Sequence, residues 1–153
     1  MSDPYVKWST LLKAFHDHHR EGILNLLKEC RTRSPKRLPR LLSLTRTVLS
    51  NLEAHHTIED RAIFPILATK FDMSAFEADH ADLDSLIYSL NGVVARAGGE
   101  DPAGFDWQAF EADVGRLRAL VFPHMRREEE LTAPEKMRGV FTEREMRALL
   151  GGH

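Results

Sequence analysis

Two short frames in this 153-residue sequence place chemistry on a helix face: His55-x3-Glu59 and His124-x3-Glu128. Residues four apart stack on an α-helix, so each pair would present an imidazole beside a carboxylate. A proline follows six residues after each glutamate, at Pro65 and Pro134, so the two segments share the frame His-x3-Glu-x5-Pro. Two further histidines, His19 and His80, stand where apolar residues are expected in periodic stripes. A buried carboxylate without partners costs several kcal/mol, and an unsatisfied imidazole roughly 1–3 kcal/mol. A lone buried histidine is ordinarily satisfied by a hydrogen bond. Four imidazoles and two carboxylates converging from four segments call for positive charge between them, which a pair of divalent or trivalent metal ions supplies.

The elements that must hold these groups are helical. Pro35 and Pro39 frame a basic linker, Phe71 to Ser74 forms a turn, and Gly98-Gly99-Glu100-Asp101-Pro102 is a loop signal. The blocks between these breaks predict helices over about 5–32, 38–70, 74–97 and 105–137. A short fifth helix runs from Thr142, whose spacing to Glu145 fits a capping box, to Leu150. Inner faces follow as Trp8, Leu12, Phe15, His19, Ile23, Leu26 and Cys30 on the first helix. The second gives Leu41, Leu44, Val48, Leu52, His55, Glu59, Ile63 and Ile66. The third gives Phe76, His80, Leu83, Ile87, Leu90 and Val94; the fourth gives Phe110, Val114, Leu117, Val121, His124, Glu128 and Leu131. Near-heptad stripes suit shallow crossing angles. The expected fold is all-α: one domain, an antiparallel up-down four-helix bundle with a short C-terminal fifth helix.

At these residues the sequence resembles the hemerythrin-like, or HHE cation-binding, family, over residues about 8–150. That family carries a histidine on helix 1, His-x3-Glu on helix 2, a histidine on helix 3 and His-x3-Glu on helix 4. The matching positions here are His19, His55 with Glu59, His80, and His124 with Glu128. The stretch Phe122 to Glu130 and the later Phe141 to Leu150 look like the last part of the related domain in an iron-sensing ubiquitin-ligase subunit. The resemblance implies two iron ions with an oxo or hydroxo bridge, His19 and His55 on one, His80 and His124 on the other. Glu59 and Glu128 would bridge them. Imidazoles also suit zinc or copper, so the ligand types leave other divalent metals open. Ferritin-like sites use Glu-x-x-His pairs and more carboxylates, the opposite order to that found here.

The chain departs from the family pattern in two places. Respiratory hemerythrin has a further histidine one turn before its helix 3 ligand, and here that place is Phe76. His56 or Asp84 would then complete the second metal or orient one of its ligands. On the first helix His16 and His18 accompany His19. His16 is the alternative ligand, and His18 is expected off the seam. Arg126, Arg127, Glu129 and Glu130 read as a solvated face, Pro123 as a kink in the fourth helix, and the terminal His153 has no evident role.

Composition narrows the function classes. With 21 basic against 23 acidic residues and a net charge of −2, nothing favours nucleic acid or an anionic membrane as partner. No apolar run approaches the ~20 residues of a membrane span. A single cysteine, Cys30, leaves no intrachain disulfide, and the first residues lack a signal-peptide pattern, so a cytoplasmic protein is the expectation. Small ligands are the expected partners: dioxygen that is bound or sensed, or, in an enzyme on the same scaffold, peroxide or nitric oxide. A third reading is a regulatory module whose stability follows iron or oxygen occupancy.

Overall fold

The computed structural model describes residues 2–152, so His153 lies outside the described residues. Every regular element among them is helical. Helix α1 spans Pro4–Cys30, α2 Leu38–Ile58, α3 Phe64–Leu67, α4 Ser74–Ala97, α5 Trp107–Leu131, α6 Pro134–Met137 and α7 Glu143–Gly151. Side chains start several of them. Asp3 accepts from the Tyr5 N–H at 3.0 Å with Pro4 in the first turn, and Asp106 accepts from the Ala109 N–H at 2.9 Å. Thr142 accepts from the Glu145 N–H at 3.2 Å, as its spacing predicted. No helix is long and apolar enough to cross a membrane, among the described residues.

The four long helices close a ring: α1 packs against α2 and α5, and α4 against the same two. Their apolar faces form two clusters. One gathers Ile23, Leu26, Leu41, Leu49, Leu52, Leu90, Val114 and Leu117; the other gathers Trp8, Leu12, Ile63, Phe64, Phe76, Met137, Phe141 and Leu149. The second cluster takes its residues from the N-terminal ends of α1 and α4, from just beyond the C-terminal ends of α2 and α5, and from α7. The buried histidines of the four long helices, with Glu59 and Glu128, fall between the two clusters. A polar layer is thus sandwiched between two apolar ones.

Three boundaries differ from the sequence expectation. The segment expected as one helix over 38–70 contains a π-helical turn at Glu59–Ile63, in which the Phe64 N–H bonds back five residues to the Glu59 carbonyl. Pro65 has no N–H to continue the α-ladder, and a widened turn just ahead of it absorbs the mismatch. The last long helix ends at Leu131; after Thr132 and Ala133, Pro134 opens the separate short turn α6. Phe105 precedes α5 instead of belonging to it. Pro123 lies within the continuous α5. Among the expected inner residues, Phe15 is 42% exposed, and Leu44, Ile66 and Leu131 are half-buried.

Candidate metal centre

Four helices and the π-turn bring six side chains together. Among the described residues, two groups of donor atoms could each hold a metal ion: His16, His55 and Glu59, and Glu59, His80 and His124. Glu59 belongs to both. Its Oε1 lies 3.1 Å from His55 Nε2 and 3.5 Å from His80 Nε2, so one carboxylate faces an imidazole of each group. Glu128 mirrors it from α5, with Oε1 4.0 Å from His16 Nε2 and Oε2 3.5 Å from His124 Nε2. His80 and His124 bring their Nε2 atoms within 3.2 Å of each other.

The helix 1 position differs from the sequence expectation. His19 is buried with its ring 4.9 Å from that of His55, but it lies in neither donor group, and His16 occupies that place. Both histidines face inward, being three residues apart; the stripe alone does not say which reaches the centre. His18 is exposed, as expected.

Carboxylates outside the donor groups orient three of the rings. His16 Nδ1–H donates to Glu129 Oε2 at 2.6 Å, His80 Nδ1–H to Asp60 Oδ1 at 2.8 Å, and His124 Nδ1–H to Asp79 Oδ2 at 3.0 Å. Each bond fixes the tautomer that leaves the Nε2 lone pair free for a cation. The acids are themselves held, Glu129 by Arg20 at 2.6 Å and Asp79 by Arg127. Glu129 is therefore a support of the centre and not part of the solvated face read from the sequence, whereas Arg127 is exposed as read there and still reaches Asp79. A signal for two of these acids was present: each stands directly after a frame glutamate, Asp60 after Glu59 and Glu129 after Glu128. The support runs crosswise. Asp60, next to the α2 frame, reaches His80 on α4, and Glu129, in the α5 frame, reaches His16 on α1.

His56 and Asp84, offered as completing ligands, pair with each other. His56 Nε2 lies 2.7 Å from Asp84 Oδ1, and neither belongs to a donor group.

Electrostatics suit a cation. Burial lowers the pKa of His16 and His124 despite the neighbouring carboxylates, keeping both imidazoles neutral. His19 is pulled down to about 3 by burial and by the nearby His55 and His16. At His80 burial also lowers the pKa, but Glu59 and Asp60 outweigh it and the net direction is up. Burial and the adjacent Glu59 push the Glu128 carboxyl well above the usual carboxylate range. Burial pushes Glu59 the same way, but bonds from Glu128, His55 and His80 hold it well below. Without a cation, two buried carboxylates side by side oppose each other's ionisation.

Polar atoms left without partners give the test of fit. Both carboxylate oxygens of Glu128, Oε2 of Glu59 and Nε2 of His16 are buried and accept no hydrogen bond. Such atoms are rare in folded proteins, and here they converge on the donor groups. Imidazole nitrogens and carboxylate oxygens in this number fit a pair of transition-metal ions. Beside Glu59, His80 and His124 lies a cavity of about 10 Å³, walled by Leu52, Leu83, Leu120, Val121 and Met125. Phe64 stacks on the His80 ring at 4.7 Å and Phe76 meets the His124 ring at 5.5 Å.

The family model described as hemerythrin HHE cation binding domain matches residues 9–135. No curated protein and no solved structure matches the chain.

Proposed function

The chain belongs to the hemerythrin HHE cation-binding domain family, and on that premise we propose that it is a non-haem di-iron protein that binds dioxygen or a related small oxidant. The observation that carries this reading is the shared carboxylate: Glu59 stands in both donor groups, and Glu128 faces a histidine of each. His16 and His55 would hold one iron, His80 and His124 the other, with Glu59 and Glu128 common to both. When bound, the iron pair supplies redox electrons and open coordination positions for a small oxidant.

The remaining residues hold the centre rigid and dry. Glu129, Asp60 and Asp79 fix ring orientation, while Phe64 and Phe76 shut the His80 and His124 rings away from water. A cavity of about 10 Å³ holds about one water-sized molecule, which favours a diatomic or peroxide over any organic substrate. The scaffold is read as an antiparallel up-down four-helix bundle with α7 as an added fifth helix. The alternation of helix ends in the second apolar cluster supports that reading.

An enzyme acting on peroxide or nitric oxide is the second reading. The small cavity adjoins the His80 and His124 side, where Phe76 stands in place of the further histidine of respiratory hemerythrin. A donor set short by one ligand favours activation over storage.

Metal content and the absorption spectrum of protein purified without chelator test the first reading. About two irons per chain, with near-ultraviolet charge-transfer absorption that bleaches on reduction, is the expected result. A folded helical protein with one iron or none would overturn it. Peroxide or nitric oxide turnover that collapses in Glu59→Ala or Glu128→Ala would favour the enzyme; reversible oxygenation with negligible turnover would favour the carrier.

A further inference from the structure

A surface groove of about 480 Å³ runs between α2 and α4, with Glu53, His56, Asp60, Arg61, Asp84 and Tyr88 in its walls. Three carboxylates against one guanidinium make it a local attractor of cations. Its inner end meets the metal centre. Asp60 in the groove wall accepts from His80 Nδ1–H at 2.8 Å, and the His56 ring lies 5.1 Å from the His80 ring. His56 also lines the inner cavity beside Glu59, His80 and His124, so this one side chain separates the two spaces.

His56 is built unlike a residue that only fills space. Its side chain is 5% exposed, yet Nε2 bonds to Asp84, whose side chain is 62% exposed. The other ring nitrogen, Nδ1, is buried and has no hydrogen-bond partner. A buried imidazole tethered to a solvent-exposed carboxylate can be released when that carboxylate swings into water. Its unpartnered nitrogen is then available to a passing ion.

We propose that this groove is the route by which a divalent cation reaches the metal centre, with His56 and Asp84 as its gate and transient ligands. The inference rests on reading the centre as a metal site. The other sizeable groove near it, about 310 Å³ between α1 and α2, has Glu21 as its one carboxylate and shares no lining residue with the inner cavity. Uncharged ligands gain nothing from the carboxylates of the α2–α4 groove, which is why the cation is assigned to it.

The test is the rate of cobalt(II) uptake by the metal-free full chain, followed by stopped-flow absorption. Glu53 and Asp84 are exposed, so the double variant Glu53→Gln/Asp84→Asn changes no buried side chain and alters one buried contact, that of Asp84 with His56. It is expected to load about tenfold more slowly, with a weaker dependence on salt, and to reach the same final cobalt content and spectrum as the parent. Glu21→Gln, in the other groove, is expected to load at the parent rate. Loading of the double variant at the parent rate overturns the route, as does equal slowing by Glu21→Gln. Loss of final cobalt content in the double variant also overturns it, by making these acids part of the site. If the parent chain takes up no cobalt at all, the metal reading falls and the route with it.

Discussion

His16 Nδ1 lies 2.6 Å from Glu129 Oε2, so a carboxylate on α5 sets the ring of a candidate ligand on α1. Asp60 does the same for His80. Removing such an acid should leave the fold intact and the donor count unchanged while loosening the ring. Glu129→Gln and Asp60→Asn are each expected to weaken metal binding about 10–100-fold, measured by competition with a chelator of known affinity. Unchanged affinity in both would reduce these bonds to ordinary surface contacts.

His16 and His19 make opposite claims on the same role. From the donor groups, His16→Ala should lower bound metal from about two ions per chain to about one, whereas His19→Ala should leave metal content unchanged. Metal analysis of the two purified variants decides between them. The reverse outcome would return the ligand role to His19, the residue that the apolar stripe singles out.

Glu128 gives a pH dependence with a defined sign in the metal-free protein. Burial and Glu59 raise its folded-state pKa above the ordinary 4.5. The stability contributed by that proton is fully present below the unfolded value and is lost as pH rises through the folded one. Metal-free protein should therefore lose stability toward neutral pH. Glu128→Gln, which removes the buried charge, should abolish most of that loss and stabilise the metal-free chain at pH 7 by roughly 1–3 kcal/mol. Denaturant titrations across the range read this directly. With metal added, the same variant should be the less stable of the two.

Tyr5 fastens the far end of the chain. Its hydroxyl donates to the Phe141 carbonyl at 2.5 Å, just ahead of α7. Tyr5→Phe keeps the ring in the second apolar cluster and deletes the bond, at an expected cost of about 0.5–1.5 kcal/mol. Faster proteolysis between Val140 and Gly151 would locate the loss. Cleavage at the parent rate would mean α7 is held by Met146 and Leu149 alone.

The helical stripes were legible because period alone decides which residues share a face. His55, Glu59, His80, His124 and Glu128 all lie on the expected inner faces, as do all six residues expected for α4. Period says nothing about how far a helix is rotated about its axis, which is where His16 and His19 part. It is equally silent on bonds running sideways from one helix to the next. Asp60 and Glu129 sit one residue beyond the stripe, roughly 100° around the helix, where period gives no sign of an inward bond. The helices expected over 38–70 and 105–137 run through Pro65 and Pro134, where the structure departs from a continuous α-helix; proline announces only a missing donor. Whether the chain answers with a π-turn, as at Glu59–Ile63, or with a new start, as at α6, depends on what packs around it.

The crosswise pattern of supporting acids divides the chain into two interdependent halves. The half carrying α1 and α2 brings His16 and His55, yet His16 is oriented by Glu129 from the other half. The half carrying α4 and α5 brings His80 and His124, yet His80 is oriented by Asp60 from the first. Neither half assembles a fully oriented set of ligands by itself. Two chains that exchanged halves through the segment joining α3 to α4 would rebuild every one of these bonds, so a swapped dimer would carry the same two centres as a pair of monomers.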